Sequence, residues 1–228
     1  MVFSNFQKFM LSCMTVSLIS GVILLCYFPV GGAIDQNLIR PWMDQFGHFT
    51  YRDNYYLVHW NHKHLKNILI LVYLSFLFLW LASFKVEKLK PSRWQYGYMF
   101  WVSILCTGVV GLLKSQSQHA CPWNMTQATP TGFIWDFTAT HGHCFPGGHA
   151  STGFALMTGF FVYRLSSKKC AYLFLFFGLT LGFIMGWGQM MRGAHFLSHN
   201  LWTAWIIFSL NAVLYAIFYK NFKNMHNN

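Results

Sequence analysis

The sequence predicts an all-α polytopic membrane protein with six transmembrane helices in one bundle, and three observations predict it. Of its 228 residues 55% are hydrophobic and only 9% charged, whereas a soluble domain carries about a quarter charged residues. The apolar residues are gathered into runs rather than spread as amphipathic stripes. The basic residues sit in the short segments between those runs, more of them on one side than on the other.

The first run, residues 10–30, follows a short tail that carries Lys8. A cleaved signal peptide competes for this run, with Gly31-Gly32-Ala33 as its small-residue site. The run exceeds the roughly 7–15 residues of a signal h-region, so it is read as a retained span. Residues 34–66 form an outer segment with Trp42, Phe46, Phe49, Tyr51, Tyr55, Tyr56 and Trp60, a density expected of an interfacial belt. His59, His62 and His64 follow and are read as solvated at the interface, with contact to a lipid headgroup as the sharper alternative. Spans at 67–86 and 95–113 are joined by a short basic loop broken by Pro91. From Lys114 to His149 the chain carries Pro122, Pro130, Gly132, Gly142 and Pro146, the pattern of a loop with turns. Loops of that length are often functional. The remaining spans are expected at 150–165, 170–188 and 200–219. The fourth is the shortest and holds Thr152, Gly153, Thr158 and Gly159, small residues suited to close packing inside a bundle. With no internal repeat or low-complexity tract, residues 1–228 are read as a single domain.

Six spans put both termini on one side, with Lys8, Lys85, Lys88, Lys90, Arg93, Arg164, Lys168, Lys169, Lys220 and Lys223. Arg40, Arg52, Lys63, Lys66, Lys114 and Arg192 are left on the other. The positive-inside rule then makes the termini cytoplasmic and the second side, in a bacterial inner membrane, periplasmic. The net charge of +11 is dispersed over short loops, which excludes an extended surface for nucleic acid. Cys13, Cys26 and Cys106 fall in spans and Cys170 at the start of one, so these are expected to be reduced thiols. Cys121 and Cys144 share the long outer loop. In an oxidising compartment a bridge between them is expected over free thiols.

Three clusters carry the chemistry, and all fall on the outer side. They are Lys114 with His119 and Cys121-Pro122; Pro146-Gly147-Gly148-His149; and the stretch from Gln189 through Arg192 and His195 to His199-Asn200. Cations and the free amides of a helix N-terminus hold phosphate, while imidazoles move protons or attack phosphorus. Singly each cluster has a plain structural reading: an interfacial lysine, a turn, two histidines at i and i+4 that satisfy each other. Their shared side and order point instead to a phosphate-handling site at a membrane surface.

These clusters resemble the motifs of the type 2 phosphatidic acid phosphatase superfamily. Its middle motif, Pro-Ser-Gly-His, matches Pro146-Gly147-Gly148-His149 with glycine in place of serine. Its first motif, a lysine, six residues and Arg-Pro, matches Lys114 and Pro122, with Cys121 in place of arginine. Its third, Ser-Arg, five residues, His, three residues and Asp, aligns Gln189 with the arginine, His195 with the histidine and His199 with the aspartate. Arg192, one helical turn beyond Gln189, is positioned to supply the missing guanidinium. Arg192-Gly193-Ala194-His195-Phe196-Leu197-Ser198 looks like the Gly-Ala-His-Phe-Leu-Ser-Asp form in bacterial lipid phosphatases.

The resemblance implies an enzyme in which His195 attacks phosphorus, His149 protonates the leaving oxygen, and Lys114, Arg192, Gly147 and Gly148 hold the phosphoryl oxygens. His199 or Asn200 would orient His195, with His199 itself as the minor candidate for nucleophile and Gln189 and His119 in support. It implies no metal and no cofactor. Implied substrates are amphiphilic phosphates such as lipid A, polyprenyl diphosphate and phosphatidylglycerol phosphate, with lipid A favoured, for hydrolysis or phosphotransfer. Two other readings stand beside it. One is a non-catalytic protein that binds lipid phosphates. The other is a metal or haem protein using His119, His141, His143, His149, His195 and His199. The near absence of ionisable residues within the spans argues against ion-coupled transport. The oligomeric state has no signature in the sequence.

Overall fold

The computed structural model describes residues 4–140 and 142–227; His141 lies outside them. Five helices are long and apolar enough to cross a membrane: Asn5–Tyr27, Tyr56–Ala82, Glu87–Gln116, Lys168–Met191 and Leu197–Asn224. The first is α1, Asn5–Tyr27, opened by a capping box in which Ser4 and Gln7 satisfy each other's backbone amides. It lies along the last helix, α8, Leu197–Asn227, where the Trp205 indole donates to the Ser17 carbonyl at 2.8 Å. A short outer helix, α2, Ala33–Ile39, follows. The second span begins as a π-helix, Tyr56–His64, and continues as α3, Leu65–Ala82. The third contains α4, Arg93–Gln116, and the fourth is α7, Lys168–Met191.

The segment expected as the fourth span departs from the six-span expectation. It is a broken helix made of α5, Gly148–Phe154, a 3₁₀ turn at Ala155–Met157, and α6, Thr158–Tyr163. At about 1.5 Å per residue it covers about 24 Å, short of the ~30 Å hydrocarbon core. The physical reason is its surroundings: nearly every residue from Ala150 to Val162 is buried against other helices. A helix sheathed in protein needs neither a lipid-matching length nor an unbroken apolar surface. Small residues bring it against α7 backbone to backbone, as in other membrane bundles. A β-carbon on Gly153 would stand 2.5 Å from the Gly182 amide nitrogen.

The helices alternate in direction, so the segments at 28–64, 117–147 and 192–196 meet at one end of the bundle. Backbone hydrogen bonds from Trp123 to Gly193 and from Gly147 to His199 tie them together. The long loop also contains an antiparallel hairpin, β1, Thr126–Thr129, and β2, Gly132–Trp135, paired Thr126 to Trp135. Above the bundle core sits a second apolar cluster of Ile39, Phe49, Ala120, Met125, Met190 and Phe196. Phe49, read from sequence as part of an interfacial belt, is therefore a core residue of this cap. It packs where Gly193 (φ +76°) turns the chain, and a β-carbon at Gly193 would meet its ring at 2.4 Å. Tyr55, Tyr56 and Trp60 remain exposed, as a belt requires.

Buried Asp35 locks the cap to the bundle. Its carboxylate accepts from the Ser198 amide at 2.9 Å, the Ser198 hydroxyl, and the Gly31 amide at 2.9 Å. A carboxylate on the first free amides of a helix both satisfies them and favours its dipole. Asp35 thus holds the start of α8, two residues ahead of which His195 stands.

Candidate functional site

Four chain segments deliver the predicted residues to one place. The last turn of α4 presents Lys114, whose alkyl stem passes over Gly148; a β-carbon there would come 3.1 Å from Lys114 Cδ. Gly148 and His149 open α5. The Gly147 amide donates to the His199 carbonyl at 3.2 Å and Thr203 donates to the Gly147 carbonyl at 3.2 Å. The Gly147 N–H is thus engaged with α8 rather than free for an anion, and the glycine is needed because Asn200 Oδ1 would lie 2.6 Å from a β-carbon. Arg192 caps the C-terminus of α7; it donates to Gln189 Oε1 at 3.2 Å and to the Arg52 carbonyl at 2.8 Å. Gln189 therefore braces Arg192.

His195 and His199 are 3% and 0% exposed, and their Nδ1 atoms lie 3.2 Å apart. One nitrogen must carry the proton and the other its lone pair, so the contact fixes complementary tautomers. The Cys144 carbonyl stands near both rings. Cys144 is itself held by a disulfide to Cys121, with Cα atoms 5.1 Å apart, and by its amide donating to the His119 carbonyl at 3.0 Å. The bridge thus fixes the wall against which the two imidazoles rest. His119 stands at the exposed rim, its ring against Phe145, which in turn edges onto His199. Asn200 turns away from His195 to wedge between Gly147 and Gly186, its amide donating to the Phe196 carbonyl at 3.4 Å.

A second imidazole pair faces the first. His149 stacks on His62 with ring centroids 3.6 Å apart and planes 17° from parallel. His62 comes from the π-helical start of the second span. That segment also turns Asn61 inward, where its amide donates to the Ile184 carbonyl at 2.9 Å. A π turn shifts the side-chain phase relative to an α-helix, and such turns are frequent at functional sites. Periodicity in the sequence could not reveal this phase shift, so Asn61 has no role in the sequence reading, Lys66 stands there only as an outer-side cation, and His62 only as an interfacial histidine with headgroup contact as the alternative. The one available signal was the density of histidine at 59–64.

The charge facing His149 and His195 is positive, while Asp53 lies near Arg192. Burial, then His62, Lys66, Lys114 and Arg192, push the His149 pKa down to about 3. Burial, then His199 and Lys114, hold His195 well below the ordinary histidine range, opposed by the Cys144 carbonyl. Both imidazoles are accordingly neutral near pH 7, inside a cluster of cations. His149 Nε2, His199 Nε2, Gln189 Nε2 and Asn61 Oδ1 are buried without a hydrogen-bond partner. Buried polar atoms of this kind, which also occur at Trp94, Tyr98, Asn211 and Tyr215, are open to a water or another polar group. Neutral imidazoles thus stand beside Lys66, Lys114 and Arg192, an arrangement that can attract an anion. Among the described residues no three His, Cys, Asp or Glu side chains converge as a metal site.

The family model described as the PAP2 superfamily matches residues 93–223, more than half the chain and the stretch that holds Lys114, His149, Arg192, His195 and His199. No curated protein and no solved structure matches the chain.

Proposed function

This chain belongs to the PAP2 superfamily, the type 2 phosphatidic acid phosphatases, and from that premise we propose that it is a lipid phosphatase working through a phosphohistidine. Family membership supports phosphatase-type activity in general. The observation that carries the finer reading is the meeting of Lys114, Arg192, His149 and the His195–His199 pair in one cationic pocket.

In this reading Lys114 and Arg192 hold the phosphoryl oxygens, with the Gly148 amide beside them. With the His195 Nδ1 proton donated to His199, the Nε2 lone pair of His195 attacks phosphorus. The P–O bond to the lipid breaks as His149 gives its proton to the leaving oxygen. Water then attacks the phosphohistidine, its proton passes to His149, and inorganic phosphate leaves. His149 must be protonated to begin, yet its pKa in the free site is about 3. The phosphate dianion itself supplies the remedy, because a negative charge beside an imidazole raises its pKa. Substrate binding and proton uptake are therefore linked.

The family aspartate that would steady a charged His195 is replaced by His199, so turnover is slower than a carboxylate would give. The same replacement favours, as a second reading, a protein that binds lipid phosphates without cleaving them. Substrates in keeping with the pocket are amphiphilic phosphate monoesters and diphosphates, including lipid A phosphates, polyprenyl diphosphate and phosphatidylglycerol phosphate. No metal or cofactor enters the scheme. The localisation we assign is the bacterial inner membrane with the site periplasmic. It is supported by the ten Lys and Arg, of 16, that the sequence puts on the side away from the histidines.

Phosphate release from a panel of these lipids, with and without chelator, tests the proposal for wild type, His149→Ala and His195→Ala. Release by wild type that both substitutions abolish is expected. Release that survives both refutes the site, loss on adding chelator supports a metal enzyme, and binding without release supports the second reading.

A further inference from the structure

At the end of the bundle away from the histidines, α1 and the turn between α6 and α7 enclose a cavity of about 530 Å³. Lys8, Arg164 and Lys168 line it together with Asn5, Phe9 and Ser12. Arg164 is half-buried, its guanidinium 3.3 Å over the Phe9 ring and beside the Tyr215 hydroxyl, so it is held in place before any ligand arrives. None of these three cations forms an ion pair; the pairs among the described residues are His48–Asp44 and Lys90–Glu87. The other basic groove at this end, beside Trp80 and Trp94, differs in this respect. There Lys90 is matched by Glu87, and Arg93 is spent on Ser83 and the Phe84 ring.

An apolar groove of about 570 Å³ adjoins the cationic cavity at Ser12. It runs between α1 and α7 over Ala204 and Trp205 of α8, up to Leu24 and Phe28. Its hydroxyls are not free: Ser12 donates to the Lys8 carbonyl at 3.0 Å and Ser20 to the Val16 carbonyl at 2.5 Å. From Ser12 to Phe28 the groove follows α1 for about 24 Å, past the middle of a ~30 Å hydrocarbon core and long enough for an acyl chain. A cationic cavity at the bundle end that meets, at Ser12, an apolar groove long enough for an acyl chain has the polarity of a single phospholipid. We propose that it binds one anionic phospholipid from the leaflet opposite the candidate active site. Lys8, Arg164 and Lys168 would take the phosphate, and the α1–α7 groove one acyl chain.

Native mass spectrometry of the full chain in detergent tests this, with phosphatidylglycerol and phosphatidylcholine of identical chains supplied in equal amounts. One phosphatidylglycerol should be retained, preferred by at least about tenfold, as expected where three cations face the headgroup. Lys8→Gln with Lys168→Gln alters only exposed side chains, so it leaves the fold intact and should lower that retention at least about fivefold. Ala204→Trp, which fills the groove, should lower it too, while Lys114→Gln at the other end should not. Equal retention of both lipids would mean boundary lipid only and overturn the proposal. Unchanged retention in the Lys8/Lys168 variant, loss in Lys114→Gln, or displacement of the lipid by inorganic phosphate alone would overturn it as well.

Discussion

At one end of the bundle Lys66, Lys114 and Arg192 surround two pairs of imidazoles; at the other, Lys8, Arg164 and Lys168 line a cavity that contains none. Both ends suit a phosphate, since a cation attracts it wherever the two meet. The difference lies in what stands among the cations. At the histidine end stand buried neutral imidazoles, which in the proposed scheme would offer a lone pair to phosphorus and, once protonated, a proton to a leaving group. They are fixed by a disulfide, by Asp35 and by glycines without which the segments would collide. At the other end the cations stand beside an apolar groove, which holds a chain but carries out no chemistry. Cations alone make a binding site, and rigidly held imidazoles among them make a candidate reaction site.

The strongest way to break this contrast is to remove the imidazoles. His195→Ala should lower phosphate release by at least about 10³-fold and His149→Ala by roughly 10²–10⁴-fold. Lys8→Gln with Lys168→Gln should leave the rate within about twofold, in line with surface changes away from a site. Equal losses at the two ends would erase the distinction.

Next comes the cation itself. Lys114→Gln should cost about 10²-fold in kcat, the scale of one lost donor to a developing oxyanion. A rise in KM with kcat intact would reduce Lys114 to a binding cation like those of the far end. Opening the bridge by Cys121→Ser should lower unfolding free energy by about 3 kcal/mol in the chain-entropy account. Activity should fall with it, because the loop that carries Cys144 beside the two rings is no longer tied to Cys121; chemical denaturation and rate measurements read the two effects separately.

The mildest test is acid. The folded pKa of His149 is lowered from 6.5 to about 3, so between those values the unfolded chain binds a proton that the native chain does not. Stability contributed by the neutral ring is complete above about pH 6.5 and is lost as pH falls toward 3. Thermal unfolding should show this decline, and a tetrahedral dianion such as tungstate should offset it by letting His149 be protonated in the native state. A decline that tungstate leaves unchanged would place the acid-sensitive group outside the pocket.

Much of the site was legible in the chain because the motifs carry it as fixed local spacings: Lys114 before Pro122, His149 after two glycines, Arg192 and His195 three apart. What was not legible had a physical cause in each case. His62 reaches His149 only because the second span opens as a π-helix, and no sequence periodicity announces that phase. Asn200 looked like a partner for His195, yet close packing against Gly147 and Gly186 turns it elsewhere. Asp35 lies 163 positions from the helix it caps, a separation across which pattern reading has no purchase.

By itself the sequence determined that the protein is a helical bundle of membrane-spanning character, because long apolar runs have no other way to satisfy their backbone in lipid. It also offered the residue types that the proposed phosphate chemistry needs, because a lysine, an arginine and imidazoles can be recognised from their spacing alone. The tertiary structure alone decided that the fourth segment is short and broken, since burial by neighbouring helices relieves it of any need to match a bilayer. It decided, too, which histidines meet and in what state of charge, because desolvation and the proximity of cations arise only when distant segments are packed together.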